Sequence, residues 1–206
     1  MKRSAKKGFT LIELLIVISI IGILAGMGVA SYGPVMDQVR RFQCQGNLRD
    51  MHKSFLMYIM DYNIYPTTQP PLTRYEKGGG VRDLWPLYDT GKISHEQLES
   101  LKCPQATLIP FSKSPTIDEF DRRHIGYSYN STAVPSDPNN PPVMADKGVS
   151  SGVLDYNSKD LGLKPNHRGG ANVLFANGKV KWINSDKNGK LSRADVSEEM
   201  WGRLLD

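Results

Sequence analysis

A run from Phe9 to Ala30, apolar except for Thr10, Glu13 and Ser19, constrains this chain more than any other feature. As a helix rising about 1.5 Å per residue it reaches roughly 33 Å, against a bilayer hydrocarbon core of about 30 Å. Glu13 decides how the run is read, because one ionisable group at such depth costs about 2.5 kcal/mol or more. A mere anchor would not carry it. The plain alternative is a carboxylate that reaches the membrane surface beside Gly8 and Thr10.

The flanks separate the two. Residues 1–8 carry Lys2, Arg3, Lys6 and Lys7 and end in Gly8 directly before Phe9. An ordinary secretory signal instead places its small-residue cleavage site after the apolar run. The segment Lys7-Gly8-Phe9-Thr10-Leu11-Ile12-Glu13-Leu14-Leu15 resembles the type III signal of type IV pilins and type II secretion pseudopilins. The resemblance implies cleavage by a prepilin peptidase between Gly8 and Phe9, N-methylation of Phe9, and an assembly role for Glu13.

The formal charge of +5 suggests a nucleic-acid binder only until its source is located. Without the four leader cations, 26 basic residues become 22 against 21 acidic ones, leaving +1. Those four charges follow the positive-inside rule: residues 1–8 stay in the cytoplasm as a leader and the carboxy-terminal part goes outward. No nucleic-acid partner is expected. Of 206 residues, about 170 remain beyond the membrane part, enough for one core.

Residues 9–34 read as the transmembrane and assembly helix and residues 35–206 as a periplasmic domain. Gly33-Pro34 should loosen or kink the helix, which then continues over 35–62. There Cys44, Leu48, Met51, Phe55, Ile59 and Tyr62 recur at three- and four-residue spacing, with Val35, Val39 and Phe42 on the same stripe. Met57 and Met60 read as core alongside Met51. Residues 63–142 read as largely irregular, with Gly78-Gly79-Gly80 too flexible for regular structure and lacking the Lys-Ser/Thr of a phosphate loop. Short helical turns are expected at Val81–Tyr88 and after a Ser94 cap with Gln97 at the third position, and one strand near Gly126–Tyr129.

Residues 143–183 read as β-rich, with two strands joined by a tight Asn177-Gly178 turn whose residues tolerate positive φ. The run from Asn166 to Ile183 is similar to the His-x9-Asp-Gly segment of a large class of pseudopilin-like proteins. Cys44-Gln45-Gly46-Asn47-Leu48-Arg49 and Tyr65-Pro66 also match that class. His167 fits its first position, whereas Asn177 stands where the class has Asp. The likeness covers about residues 8–65 and 143–183.

Catalysis finds little support. His52, His95, His124 and His167 are scattered without metal-ligand spacing, and His167 reads as capping the hairpin through a backbone hydrogen bond. Cys44 and Cys103 are the only cysteines; a disulfide and two buried thiols are both open to them. In the tail 184–206, Asn184, Asp186, Asn188, Lys190 and Asp195 approximate a calcium loop with Gly189 at its sixth position, although a plain Asx-Gly turn accounts for the same residues. No cofactor is required, and calcium is the one metal this spacing admits.

The expected fold is α+β and pilin-like, a long amino-terminal helix, transmembrane then amphipathic, packed on a small antiparallel sheet. The expected function is not enzymatic: a structural subunit of a type II secretion pseudopilus in the bacterial inner membrane. Its partners would be membrane lipid, prepilin peptidase, the inner-membrane secretion platform, and further copies or other pseudopilins in one fibre. The alternatives are a type IV pilus subunit for adhesion or motility, and a membrane-tethered periplasmic binding domain.

Overall fold

The structure is a computed structural model that describes residues 9–68, 80–121, 123–131, 133–146, 167 and 169–185, without the side chains of 27–31. Residues 1–39 and 40–206 form two compact units. One helix, α1, spans Leu11–Tyr62 and passes through Pro34 unbroken. Its end is set by Asn63, which turns left-handed at φ 58° while its amide donates to the Ile59 carbonyl.

In the first unit the side chains of Leu11, Ile12, Leu15, Ile18, Ile21 and Leu24 are all exposed. Among the described residues no helix is long and apolar enough to cross a membrane.

In the second unit, α1 lies on a four-stranded antiparallel meander in the order β1 (Tyr127–Tyr129), β2 (Pro142–Asp146), β3 (Gly170–Phe175), β4 (Val180–Asn184). The α+β architecture expected from the periodicities is the one observed. Cys44, Leu48, Met51, Phe55 and Tyr58 are buried on the helix face, at spacings that keep them on one side. Phe55 stacks on Tyr129 with ring centres 5.4 Å apart and meets Tyr65 edge-on at 5.7 Å. The Tyr129 hydroxyl donates to the Pro66 carbonyl, so burial leaves it satisfied.

The stripe is narrower than its sequence suggests. Val35, Val39 and Phe42 are exposed, and so are Met57 and Met60, at 44% and 85%. Met57 and Met60 follow Met51 by six and nine residues, which turns both away from the sheet. Tyr62 is half-exposed and stacks on Tyr58 instead of entering the core.

Between helix and sheet, a 3-10 turn at Gly80–Leu84 leads into α2 (Trp85–Asp89), and a second 3-10 turn covers Glu96–Leu101. The Ser94 amide donates to Gln97 Oε1 at 2.7 Å and the Gln97 amide to Ser94 Oγ at 3.3 Å, the reciprocal cap expected there. Leu98, Leu101 and Cys103 thereby turn inward and are buried. Gly126 permits that approach: a Cβ on it would lie 2.6 Å from the Cys103 amide nitrogen.

The β3–β4 connection differs from a two-residue turn. Only Gly178 has positive φ, 81°; the Phe175 amide donates to the Lys179 carbonyl and the Gly178 amide to the Phe175 carbonyl. Ala176, Asn177 and Gly178 thus form a three-residue loop with glycine at the left-handed position. Asn177 Oδ1 accepts the Lys179 amide at 3.0 Å, a role its missing carboxylate counterpart would also fill.

Candidate functional site

Two arrangements stand out, one in each unit. At the amino end of α1, Glu13 Oε2 accepts the Thr10 amide at 2.8 Å and the Thr10 hydroxyl at 2.6 Å, and the Glu13 amide donates back to Thr10 Oγ1 at 3.4 Å. Helix starts leave amide donors without partners, and a Thr-x-x-Glu pair satisfies them reciprocally. Within the chain the carboxylate is therefore a cap on its own helix. Phe9, immediately before, is 76% exposed.

The second arrangement is interior. Cys44 comes from α1, Cys103 from the end of the Glu96–Leu101 turn, Asp146 from the last position of β2, and His167 from three residues before β3. One ligand atom from each lies within 4.8 Å of all the others. The two sulfurs are 2.9 Å apart as free thiols, Cys103 Sγ is 3.6 Å from His167 Nε2, and that nitrogen is 3.5 Å from Asp146 Oδ2. All four side chains are buried, with Asp146 and Cys44 fully so.

Asp146 is placed by register and held by Asn172. It sits opposite Tyr127 in the β1–β2 ladder, and its Oδ2 accepts the Asn172 amide at 2.7 Å and the Asn172 side-chain amide at 2.9 Å. The same side-chain nitrogen donates to the Arg41 carbonyl, tying α1 to the group. The Arg41 guanidinium lies 3.3 Å over the Trp182 ring, whose edge faces His167 at 6.0 Å. Asp146 Oδ1 and His167 Nδ1 are buried and have no hydrogen-bond partner among the described residues.

These contacts move the acidities apart. Hydrogen bonding from Cys44 outweighs burial and, with His167, brings Cys103 down to about 5, whereas Cys44 is driven upward by its bond to Cys103 and by burial. Burial raises Asp146 to about 6. Burial by itself would lower His167; the Cys103 hydrogen bond and the Asp146 charge reverse it, and the net direction is up.

Residues 3–29 match the family model described as the prokaryotic N-terminal methylation motif. The chain is 36% identical over 72 residues to the type II secretion system core protein G of Pseudomonas aeruginosa, covering 35% of this chain and 51% of that protein. The corresponding protein of Klebsiella michiganensis is 35% identical over 72 residues, with the same coverage. The chain carries this motif and is similar to these secretion proteins over about a third of its length. It spans about half the length of the curated relatives it matches, and no solved structure matches it.

Within the described residues the sequence motifs fall unevenly. Phe9 and Glu13 lie at the described start of α1, while Gly8 lies outside the described residues. Of the calcium-loop candidates, Asn184 closes β4 and accepts the Trp182 indole N–H; Asp186, Asn188, Lys190 and Asp195 lie outside the described residues. His167 is not a hairpin cap. Its ring is in the interior against Cys103, Asp146 and Trp182.

Asp146 and Asn172 carry no motif, although each is a polar residue in an otherwise apolar strand. Such residues need partners when buried, which was the available signal. His52, next to Met51 on α1, lies against the Gly178 turn, and burial lowers its pKa.

Proposed function

We propose that the chain is a pseudopilin: a structural, non-catalytic subunit of a type II secretion pseudopilus in the bacterial inner membrane. A prepilin peptidase cuts between Gly8 and Phe9, Phe9 is N-methylated, and residues 9–34 anchor the subunit in membrane lipid. Mature subunits join helix to helix with copies of themselves or with other pseudopilins on the inner-membrane secretion platform.

The observation that carries this reading is the methylation motif over residues 3–29, with Glu13 placed at the head of a continuous helix. Similarity to core proteins of type II secretion favours a secretion fibre over a surface pilus. In the single subunit the Glu13 carboxylate is satisfied locally by Thr10, so it can wait in the membrane without a partner subunit. In the fibre it would exchange Thr10 for the charged amino group of a neighbouring Phe9, a pairing strengthened by low dielectric.

Intact-mass analysis of the membrane-purified protein tests processing. The expected mass is that of a chain starting at Phe9 and carrying one methyl group; a start after Ala30 would overturn the reading. Recovery of the protein in sheared surface fibres would favour a pilus over a secretion fibre.

A further inference from the structure

We propose that Cys44, Cys103, Asp146 and His167 form a tetrahedral binding site for a zinc-class divalent cation. Four donors of three kinds converge from four separate parts of the fold, two sulfurs, an imidazole nitrogen and a carboxylate oxygen, within 4.8 Å of one another. Two thiolates and an imidazole are the donor set of zinc sites, and a carboxylate is an accepted fourth ligand. Calcium and magnesium, which take six or more oxygens or an octahedral shell, do not fit it.

Asp146 is fully buried, and its Oδ1 has no partner among the described residues. A buried carboxylate with an unpaired oxygen is costly, and neither a Cys44–Cys103 disulfide nor a pair of neutral thiols would relieve it. A dication would. With both thiols and the carboxylate ionised the four ligands sum to −3, which zinc reduces to −1, and the Arg41 guanidinium stands over Trp182 beside His167.

Asn172 completes the arrangement by holding the carboxylate through two hydrogen bonds, as outer partners do around metal-ligating groups. Binding involves no oxidant: the cation displaces the thiol protons to solvent and forms two metal–sulfur bonds. Oxidation to a disulfide would consume the same two sulfurs, so the chain holds either the metal or the bond.

The test uses the full chain purified in detergent under reducing conditions without chelator. Elemental analysis should find about one zinc ion per chain. Replacing it with cobalt(II) should give tetrahedral visible bands and a sulfur-to-cobalt charge-transfer band. Outer-partner changes alone cost 10–100-fold in affinity, so Cys103→Ser should weaken zinc binding by more than about 100-fold.

His167→Cys should retain the metal and strengthen the charge-transfer band, which separates ligation from mere folding. A wild-type chain that, after reduction and titration with zinc and then cobalt, takes up neither ion and keeps two titratable thiols would overturn the proposal. So would a Cys44–Cys103 disulfide that resists reduction in the folded chain. None of these readouts depends on secretion or fibre assembly.

Discussion

Asn172 grips Asp146 twice on a single oxygen, through its backbone amide at 2.7 Å and its side-chain amide at 2.9 Å, leaving the other carboxylate oxygen free of protein partners among the described residues. Asn172→Ala keeps the backbone bond and removes the bonds from the side chain to Asp146 and to the Arg41 carbonyl. Buried polar groups deprived of a partner cost about 1–3 kcal/mol each. Urea unfolding of the reduced protein should show a loss in that range. An unchanged midpoint would mean that the carboxylate finds another donor.

Glu13→Ala should uncouple assembly from processing. The helix loses its reciprocal Thr10 cap and frays at its first turn, but the proposed cleavage after Gly8 should persist. The second unit, residues 40–206, should stay folded. Cross-linking between subunits, run beside a cleavage assay, should show processed protein and no fibres; normal fibres would remove Glu13 from assembly.

Gly178→Ala should destabilise through two separable causes. The backbone is left-handed there, which costs a residue with a Cβ about 1–2 kcal/mol, and that Cβ would lie 2.5 Å from His52 Nε2. Adding His52→Ala should recover the contact part and leave the backbone part. A double-mutant cycle by thermal unfolding measures both, and strict additivity would contradict the contact.

Asp121 supplies an acid-range signature. Although burial opposes it, hydrogen bonds from His124 and Arg123 hold its carboxylate at about 2, below its ordinary 3.8. A folded-state value below the unfolded one means that the contribution is complete above about pH 4 and is lost as pH falls toward 2. Asp121→Asn should therefore narrow the stability gap between pH 5 and pH 2, read by chemical denaturation at each pH. A gap as wide as the wild type's would assign the acid response to other carboxylates.

The helix face was legible because Cys44, Leu48, Met51 and Phe55 repeat at the helical period, and period is a local property. Where the face ended was not. Met57 and Met60 have the same chemistry as Met51, and only the position of the sheet decides which is covered. The strands at 170–175 and 180–184 were legible from their apolar runs and the Asn-Gly pair, while the strand at 142–146 was not singled out and the extra turn residue was not legible, since glycine serves both loop lengths.

The interior cluster was invisible for a different reason. Cys44 and Cys103 are 59 positions apart and Cys103 and His167 are 64 apart, so no spacing rule for metal ligands applies; only the packing of α1 and the Glu96–Leu101 turn against the sheet in this strand order brings them together.

That order also sets a timetable. The stripe on α1 is made early, yet the hairpin that reaches it, through Asn172 to the Arg41 carbonyl, Ala176 to the Tyr65 hydroxyl and Gly178 to His52, belongs to the last-made part of the fold. At synthesis rates of about 5–20 residues per second, Cys44 to Phe55 must pass roughly ten seconds with an uncovered apolar face. A nascent chain of this kind has to be shielded or moved outward during that interval, and the residues that close the core are the ones whose arrival ends it.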